Sequence, residues 1–435
     1  MSLTATQVES FYQLPTETFQ LALVHHSLAN LATNRQIISD YPHQFNHEVE
    51  SVGKITNQRS SGRCWLFAAL NMIRCSFMEK YKLDNFEFSQ AYMFFWDKLE
   101  RINWFLESYI ELRKTRKMSD RYVHHMLHDP LSDGGQWSMV ASLIRKYGLV
   151  PKSSMEDSYH ATSSREMNSI LIRKMREYCL QLDRESDMEA KRELKQTFMK
   201  EVWTLLVGFL GKPPQRINYD TKDKNKKWVK FENMTPQEFF AKSEFNLDDW
   251  VPIVHDPREE NDYNKKYGVE YLGNMVGETV TYLNLPMERF KQLSKQMLDN
   301  GKAIWFGCDV GQERHRKSGV HDIDILNLEK FLGTKFKMTK EERLNTGESL
   351  MTHAMVLVGY HEKEGKPYSW KVENSWGKDS GHNGYLLLTD RWFDEYVYEV
   401  LVPKSYLSTD EVKQWDGEIE KMLPPWDPMG SLAKL

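Results

Sequence analysis

Hydrophobic and polar residues follow different periods in the two halves of this chain. In residues 163–211, apolar side chains recur at spacings of three and four, as at Met167, Leu171 and Met175, with charged residues between them. This spacing is typical of amphipathic helices, and the stretch is long enough for an antiparallel pair. After residue 301 the pattern changes to short apolar or alternating runs, such as AIWFGCDVG, HAMVLVGY and GYLLLTD. These runs predict strands, so we expect an α+β protein.

Three further stretches have helical character. The first begins at CWLFAALNMIRC and runs from Cys64 to about Tyr81, with Ser60 or Ser61 as alternative N-caps. The second, MVASLIRKYG, follows the turn SDGGQW, and the third covers residues 287–301. Residues 212–270 are rich in proline and aromatic residues, which favours hairpins and loops.

Chain length sets the expected domain organisation. The chain has 435 residues, more than the roughly 250–300 at which single cores stop growing. We expect residues 1–160 to form an N-terminal arm and a helical lobe, and residues 296–420 to form a β-rich lobe. Residues 161–295 are expected to be an insertion of helices and hairpins, and residues 421–435 a C-terminal arm.

Composition and charge exclude several classes of protein. Hydrophobic residues make up 40 % of the chain and charged residues 28 %, as in globular proteins. The net charge of −4 argues against a dedicated nucleic-acid-binding module, which should be basic. No apolar run approaches the ~20 residues of a membrane helix, and the N-terminal sequence does not resemble a signal peptide. With only four cysteines, we expect reduced thiols and a cytoplasmic location.

Cys64 stands at the start of a predicted helix, where the helix dipole favours an ionised thiol. For an isolated cysteine, however, a small buried hydrophobe is the favoured interpretation. Nucleophilic catalysis would require a base within hydrogen-bond reach and a third group that orients the base. The choice between these two roles therefore depends on the rest of the sequence.

The β-rich half supplies both missing groups. His353 begins one predicted strand, HAMVLVGY. In YSWKVENSWG, a period of two places Trp370, Val372 and Asn374 on one inward face. The Asn374 amide could accept from an imidazole N–H, and Trp376 could cover that contact and exclude water. A thiol, an imidazole and a carboxamide are thus available for one site.

The motifs that carry these residues resemble the signature blocks of papain-like cysteine peptidases. They are Q-x5-C-W at residues 58–65, HAMVLVGY at 353–360 and ENSWG with a following G-x-x-G-Y at 373–385. The chain departs from that pattern in having S-G-R before the cysteine. In addition, His353 follows Cys64 by 289 residues, whereas about 130–150 are typical, so about 140 residues are inserted. NQRSSGRCWLFAALN, DGGQW, TSSREMNSILIRKMREY and PWDPMGSLAKL resemble one branch, the bleomycin hydrolase/aminopeptidase C family.

This resemblance implies a papain-like two-lobed fold, with a helical lobe and a β-barrel-like lobe, and a cysteine aminopeptidase activity. Cys64 would be the nucleophile, His353 the acid and base, and Asn374 the orienting group. The side chain of Gln58 would hold the oxyanion together with the Cys64 N–H. The substrate would contact a further set of residues, namely Gly134, Gly135, Trp376 and Leu435. The resemblance implies no metal and no cofactor.

The resemblance also implies that the C-terminal arm enters the active-site cleft. The terminal carboxylate, at Leu435, would meet the α-amino group of the substrate and restrict cleavage to N-terminal residues. Family tails commonly stop about at Ala433, so Lys434 and Leu435 are either trimmed or reach deeper. Expected partners are peptides with a free N-terminus and five further copies in a homohexamer assembled through the insertion. No membrane partner is expected.

Other signals are weaker. HHMLH at residues 124–128 has metal-ligand spacing but lacks an intervening glutamate, so we assign no metal. The lysines around Trp228 resemble a nucleic-acid patch, although a solvated hairpin tip explains them as well, and nucleic acid is not expected as a partner. Two alternatives remain open: a catalytically weak oligomeric scaffold or nucleic-acid-binding protein on this fold, and a Cys-His-Asn acyltransferase.

Overall fold

Helices dominate the first half of the chain and strands the second, which confirms the α+β prediction. The structure is a computed structural model that describes residues 2–9, 11 and 17–433. The helices of this part, α1 to α17, span Ala5–Glu9, Glu17–His25, Leu28–Ala32, Arg35–Asp40, Cys64–Lys80, Gln90–Arg113, Arg121–His128, Trp137–Tyr147, Tyr159–Thr162, Arg165–Arg184, Met188–Leu210, Pro236–Ala241, Met287–Asp299, Leu328–Leu332, Lys340–Thr346, Asp390–Tyr396 and Thr409–Asp416. Its strands, β1 to β14, span His47–Glu48, Ile217–Lys222, Trp228–Met234, Trp250–Val254, Lys265–Val269, Thr281–Asn284, Ile304–Cys308, Arg314–His315, Val320–His321, His353–Lys363, Lys366–Glu373, Tyr385–Thr389, Val397–Pro403 and Lys421–Leu423.

Twelve of these strands form one mixed sheet. Its order is β14-β5-β6-β4-β13-β7-β10-β11-β12-β9-β8, and β1 pairs with the far end of β10. The central pairs from β4–β13 to β11–β12 are antiparallel. On β10, His353 is the register partner of Cys308 on β7, and Val356 is the partner of Glu373 on β11. The sheet therefore fixes the starts and ends of the strands that carry His353 and Asn374.

Helix α5 lies against the centre of this sheet. All but three of its 17 residues are buried, which explains why its sequence is apolar around its whole circumference. Trp305 on β7 donates its indole N–H to the carbonyl of Trp65 at 3.2 Å, and its backbone N–H lies 3.3 Å from the sulfur of Met72. The helix that begins at Cys64 is thus joined directly to the β-rich half.

The segment 161–295 contains two kinds of structure. The predicted helical pair is present as α10 and α11. Most apolar residues of α10 are buried and its charged residues face outward, but Ile170 and Leu180 are exposed. The hairpin β2–β3 follows as a separate two-stranded sheet. Strands β4, β5 and β6 then join the main sheet, because apolar runs such as VPIV are buried against it. The sequence did not predict that β4, β5 and β6 belong to the main sheet, because their apolar runs are short and lie between proline and charged residues.

Candidate active site

Cys64 is the first residue of α5 and is fully buried. The predicted cap by Ser60 or Ser61 is wrong, since Arg63 is the N-cap residue. Arg63 donates to Asp157 at 2.6 Å, while the Ser61 hydroxyl donates to the Gln58 carbonyl at 2.7 Å. Ser61 is therefore used to shape the loop before the helix. The Cys64 sulfur lies at the positive end of the α5 dipole, which favours a thiolate.

His353 and Asn374 meet at the ends of two neighbouring strands. The imidazole Nε2 of His353 lies 2.9 Å from the Oδ1 atom of Asn374, and both side chains are buried. The same Oδ1 accepts the backbone N–H of Ser375 at 2.8 Å. Because a backbone N–H can only donate, the atom facing the ring is an acceptor, so Nε2 carries the proton in the neutral ring. Nδ1 is then the ring nitrogen that can accept a proton.

Trp376 packs on the imidazole of His353. The two ring centroids are 4.8 Å apart, and the ring planes are inclined by 32°. Trp376 is held there by backbone pairing with Asn57, and Gly377 donates its N–H to the Thr56 carbonyl at 3.0 Å. The indole thus covers the His353–Asn374 pair and restricts the access of water to it.

The β7–β10 pair connects Cys64 with His353. Cys308, the last residue of β7, is the register partner of His353. Burial raises the pKa of the Cys308 thiol well above its usual value, and the charges of Asp309 and Cys64 raise it further. Cys308 is thus close to both residues and is kept as a neutral thiol. The structure brings the thiol, the imidazole and the carboxamide to one region at the junction of α5 and the sheet.

Gln58 lies in the same region and is almost fully buried. Its Oε1 accepts from the Ser375 hydroxyl at 2.7 Å, and its Nε2 donates to the Ser61 carbonyl at 2.7 Å. Its backbone N–H also donates to the Ser375 carbonyl at 2.8 Å. These bonds fix the direction of the amide. Sequence reasoning missed Ser375, although it directly follows Asn374 in the ENSWG motif.

Gly134 and Gly135 form a turn that a buried carboxylate holds in place. Asp133 accepts from Lys98 at 2.6 Å, from Asn168 at 2.6 Å and from Ser164. Burial alone would raise the pKa of Asp133, but the Lys98 charge and these hydrogen bonds outweigh it and keep that pKa well below its usual range. The Asp133 carboxylate is therefore ionised under ordinary conditions. Its position in the sequence, just before the glycine pair, carried no signal of this role.

Gly135 has a second reason to lack a side chain. A Cβ atom at this position would lie 2.4 Å from Cδ2 of the Trp65 ring, which cannot be accommodated without a shift. The Trp65 ring is itself fixed, because its Nε1 donates to the Asp133 carbonyl at 2.7 Å. The sequence suggested that a substrate backbone requires the glycine. Close packing on Trp65 requires it already without any ligand.

The C-terminal arm runs past this turn. The Gly135 N–H donates to the Ala433 carbonyl at 3.2 Å, and the Gln136 side chain donates to the Ser431 carbonyl at 2.6 Å. Ala433 is fully buried, and Met429 is almost fully buried. The expected contact of Leu435, like the question of trimming at Lys434, lies outside the described residues. The described part of the arm thus accepts hydrogen bonds from Gly135 and Gln136. Gly135 in turn packs on Trp65, the residue that follows Cys64.

The weaker sequence signals have structural explanations. His125, within HHMLH, lies against Trp426, with ring centroids 5.9 Å apart. Trp228 is exposed at the tip of the β2–β3 hairpin, with the Lys222 amine 4.9 Å from its ring. The other three cysteines, Cys75, Cys179 and Cys308, are buried and form no disulfide. Among the helices that the structure describes, none combines the length and the apolar character needed to cross a membrane.

The fold is that of a papain-like cysteine peptidase, and comparisons with known proteins agree. The Peptidase C1-like family matches residues 2–430, and the chain belongs to that family. Within it, the chain is 46 % identical to bleomycin hydrolase of Gallus gallus, with 92 % of this chain and 91 % of that one covered. It is 42 % identical to aminopeptidase C of Lactococcus lactis subsp. cremoris, with 87 % of each chain covered.

A solved structure extends the similarity to nearly every residue. The crystal structure of PepW from Lactobacillus rhamnosis HN001 matches with a TM-score of 0.95 at 38 % identity, covering 99 % of each chain. The predicted membership in the bleomycin hydrolase/aminopeptidase C family is therefore confirmed, as is the papain-like fold. This chain is a cysteine peptidase of that type.

Proposed function

We propose that this protein releases N-terminal residues from peptides, using Cys64, His353 and Asn374. The observation that carries the proposal is the arm at the Gly134–Gly135 turn. An extended chain already accepts hydrogen bonds there from the Gly135 N–H and the Gln136 side chain, and Gly135 packs on Trp65, the residue after Cys64. A peptide whose N-terminus ends at the arm fits this arrangement, whereas a chain that continues through the cleft does not.

The chemistry follows from the order of the three groups. Nδ1 of His353 takes the proton of the Cys64 thiol, and the thiolate attacks the carbonyl carbon of the first peptide bond. Collapse of the tetrahedral intermediate breaks the C–N bond, and the imidazolium gives its proton to the leaving amine. Water, deprotonated by the imidazole, then attacks the thioester, and the freed amino acid leaves as Cys64 is regenerated.

Asn374 and Gln58 act on different partners in this sequence. Asn374 holds the His353 ring in the tautomer and orientation that present Nδ1 to the thiol. The Gln58 amide N–H and the Cys64 backbone N–H would stabilise the oxyanion of the intermediate. Buried donors of this kind are effective because they are already oriented when the charge develops.

The decisive experiment compares an aminoacyl fluorogenic substrate with its N-acetylated twin. We expect hydrolysis of the free amine only, and complete loss of that activity after alkylation of the protein or in Cys64→Ala. Cys308→Ser is a matched control, since that thiol is buried and neutral, and it should remain sensitive to the alkylating agent. Equal cleavage of both substrates would contradict the aminopeptidase assignment, and activity in Cys64→Ala would contradict the nucleophile.

Assembly and location are part of the same proposal. We expect a homohexamer, which is supported by exposed apolar residues on the outer face of α10, Ile170 and Leu180. Sedimentation should give six times the chain mass of 51.4 kDa. A cytoplasmic location remains a prediction from the small number of cysteines, four in 435 residues. A monomeric mass in sedimentation would contradict the homohexamer but not the proposed catalytic mechanism.

A further inference from the structure

A buried ion pair fixes the root of the C-terminal arm. The guanidinium of Arg258 donates to both carboxylate oxygens of Asp427, at 2.8 and 3.1 Å. The two side chains are only 4 % and 9 % exposed, so the pair is protected from screening by solvent. Asp427 lies six residues before Ala433, the last arm residue at the Gly135 turn. The pair therefore lies six residues before the contact at Gly135 and is connected to that contact through the arm.

The β-rich half holds Arg258 rigidly. Asp256 accepts from the same guanidinium at 2.7 and 2.9 Å and from Asn261 at 2.8 Å. The Asp256 backbone N–H in turn donates to Asn284, at the end of β6, at 2.9 Å. The Arg258 guanidinium is thus held in one orientation. It binds Asp256, which is itself bonded to β6, and it also binds Asp427 of the arm.

Asp427 also shapes the arm locally. Its Oδ1 atom accepts the Met429 N–H at 2.9 Å and caps the short turn Pro428–Gly430. The preceding residue, Trp426, lies under the Arg121 guanidinium, 3.8 Å from the ring centroid. Two adjacent arm residues, Trp426 and Asp427, are thus held by Arg121 and Arg258 before the chain reaches Ser431 and Ala433.

We propose that Arg258 is a specificity-determining positioning residue. By binding Asp427, it keeps the arm on the Gly135 turn and thereby excludes peptides without a free N-terminus. This inference rests on the proposed aminopeptidase function and assigns one determinant of it to a residue that does not touch the substrate. Without the Arg258–Asp427 pair, the arm leaves the turn for a larger fraction of the time, and blocked peptides enter.

Asp427→Asn is the most informative variant. The asparagine keeps the size and an oxygen that can cap Met429, and Arg258 retains Asp256, so no buried charge is left alone. One charged hydrogen-bond pair weakens, which corresponds to a change of about 10- to 100-fold in the population of the displaced arm. We expect kcat/KM for the N-acetylated substrate, relative to its free-amine twin, to rise by that factor. The kcat for the free-amine substrate should stay within about threefold because the variant leaves the site residues untouched.

Two further variants make the result decisive. Glu420→Gln removes an exposed ion pair with Lys265 in the same C-terminal region and should leave the substrate ratio at the wild-type value. Deletion of residues 431–435 should raise the ratio at least as much as Asp427→Asn does. The Gly135 N–H donates a hydrogen bond to the Ala433 carbonyl. Hydrogen exchange of this N–H should therefore become faster in Asp427→Asn and remain slow in Glu420→Gln.

The outcomes separate this inference from the proposed function. A wild-type protein that cleaves both substrates equally contradicts the aminopeptidase proposal, and the positioning role with it. In another outcome, the wild type cleaves only the free-amine substrate and the deletion variant also cleaves the N-acetylated one. If Asp427→Asn then still cleaves only the free-amine substrate and keeps slow exchange at Gly135, the role of Arg258 is contradicted and the aminopeptidase proposal is not. An Arg258→Lys variant, which keeps the charge but loses the fork, should give an intermediate ratio. A ratio at the wild-type value in Arg258→Lys, despite an opened Asp427→Asn, would show that charge without the fork suffices.

Discussion

At the scale of single residues, the orientation of one amide is the most sharply defined feature of the site. The Ser61 carbonyl can only accept, so the nitrogen of the Gln58 amide must face it. The amide oxygen then faces the Ser375 hydroxyl, which donates to it. A buried amide with both ends assigned in this way does not need to reorganise when a substrate oxygen becomes charged.

Gln58→Ala should therefore cost about 10²–10³ in turnover, the usual loss for one oxyanion donor. Its KM should change little, because the lost hydrogen bond strengthens only as charge develops. Steady-state kinetics with the aminoacyl substrate measures both constants. Ser375→Ala serves as the control: the amide keeps its nitrogen but loses one neutral hydrogen bond, which corresponds to about 2- to 10-fold. Full activity of a folded Gln58→Ala protein would refute the role.

Glu399 gives a prediction for how the stability of the folded protein depends on pH. Its side chain is buried on β13, and burial raises the pKa of this carboxyl well above its usual value. The unfolded chain releases the proton near pH 4.3, whereas the folded chain keeps it, so this residue lowers stability progressively as the pH rises above that value. Glu399→Gln should raise Tm more at pH 8 than at pH 4.5. An equal change at both values would contradict a protonated Glu399, and Glu420→Gln, at an exposed position, provides the control.

At the scale of elements, a buried ion pair joins the helix of Cys64 to the strand of Asn374. Arg74 on α5 donates to Glu373, the last residue of β11, at 2.6 Å, and Asn71 donates to the same oxygen at 2.9 Å. Both charged side chains are 1 % exposed. The pair thus holds the two halves of the site in register, one residue before Asn374.

Glu373→Ala should destabilise the protein by about 3–5 kcal/mol, since it leaves the Arg74 charge buried without its partner. The double variant Arg74→Met/Glu373→Leu should recover most of that loss, because it removes both charges together. Urea unfolding curves give the free energies. Arg391→Ala, which breaks an exposed pair with Asp324, should cost no more than about 1 kcal/mol. A double variant as unstable as Glu373→Ala would argue against this account.

The sequence carried the type and order of most elements but few of the contacts between them. Strands β10 and β11 were predictable because their apolar runs are long and alternate, whereas β4 to β6 are short and interrupted by proline and charge. His353 and Asn374 could be paired because their motifs resemble a known family. Partners such as Arg74 and Glu373 lie 299 residues apart, and a single sequence holds no signal for such pairs.

At the scale of the whole molecule, the proposed role of the arm is to determine which peptides reach the thiol. Deletion of residues 431–435 removes the strand-like contact at Gly135 and should convert the enzyme toward endopeptidase activity. We expect N-acetylated peptides to be cleaved and free-amine peptides to lose part of their preference, because the arm no longer receives the amino group. Mass spectrometry of products from a long peptide would show internal cuts. An unaltered pattern of single N-terminal losses would refute the function of the arm.

The arm is held at Gly135 and Gln136 through its own carbonyl groups, and Tyr282 likewise donates to the Met429 carbonyl. These carbonyl contacts do not depend on the arm's side chains, in contrast to the Asp427 ion pair and to the Ser431 hydroxyl, which donates to the Met351 carbonyl at 2.8 Å. Substitutions, insertions or deletions in this part of the arm can therefore occur without changing the residues proposed to break the peptide bond. If the proposed function is correct, substitutions in residues 431–433 can change which peptides are cleaved without altering the residues proposed to break the bond.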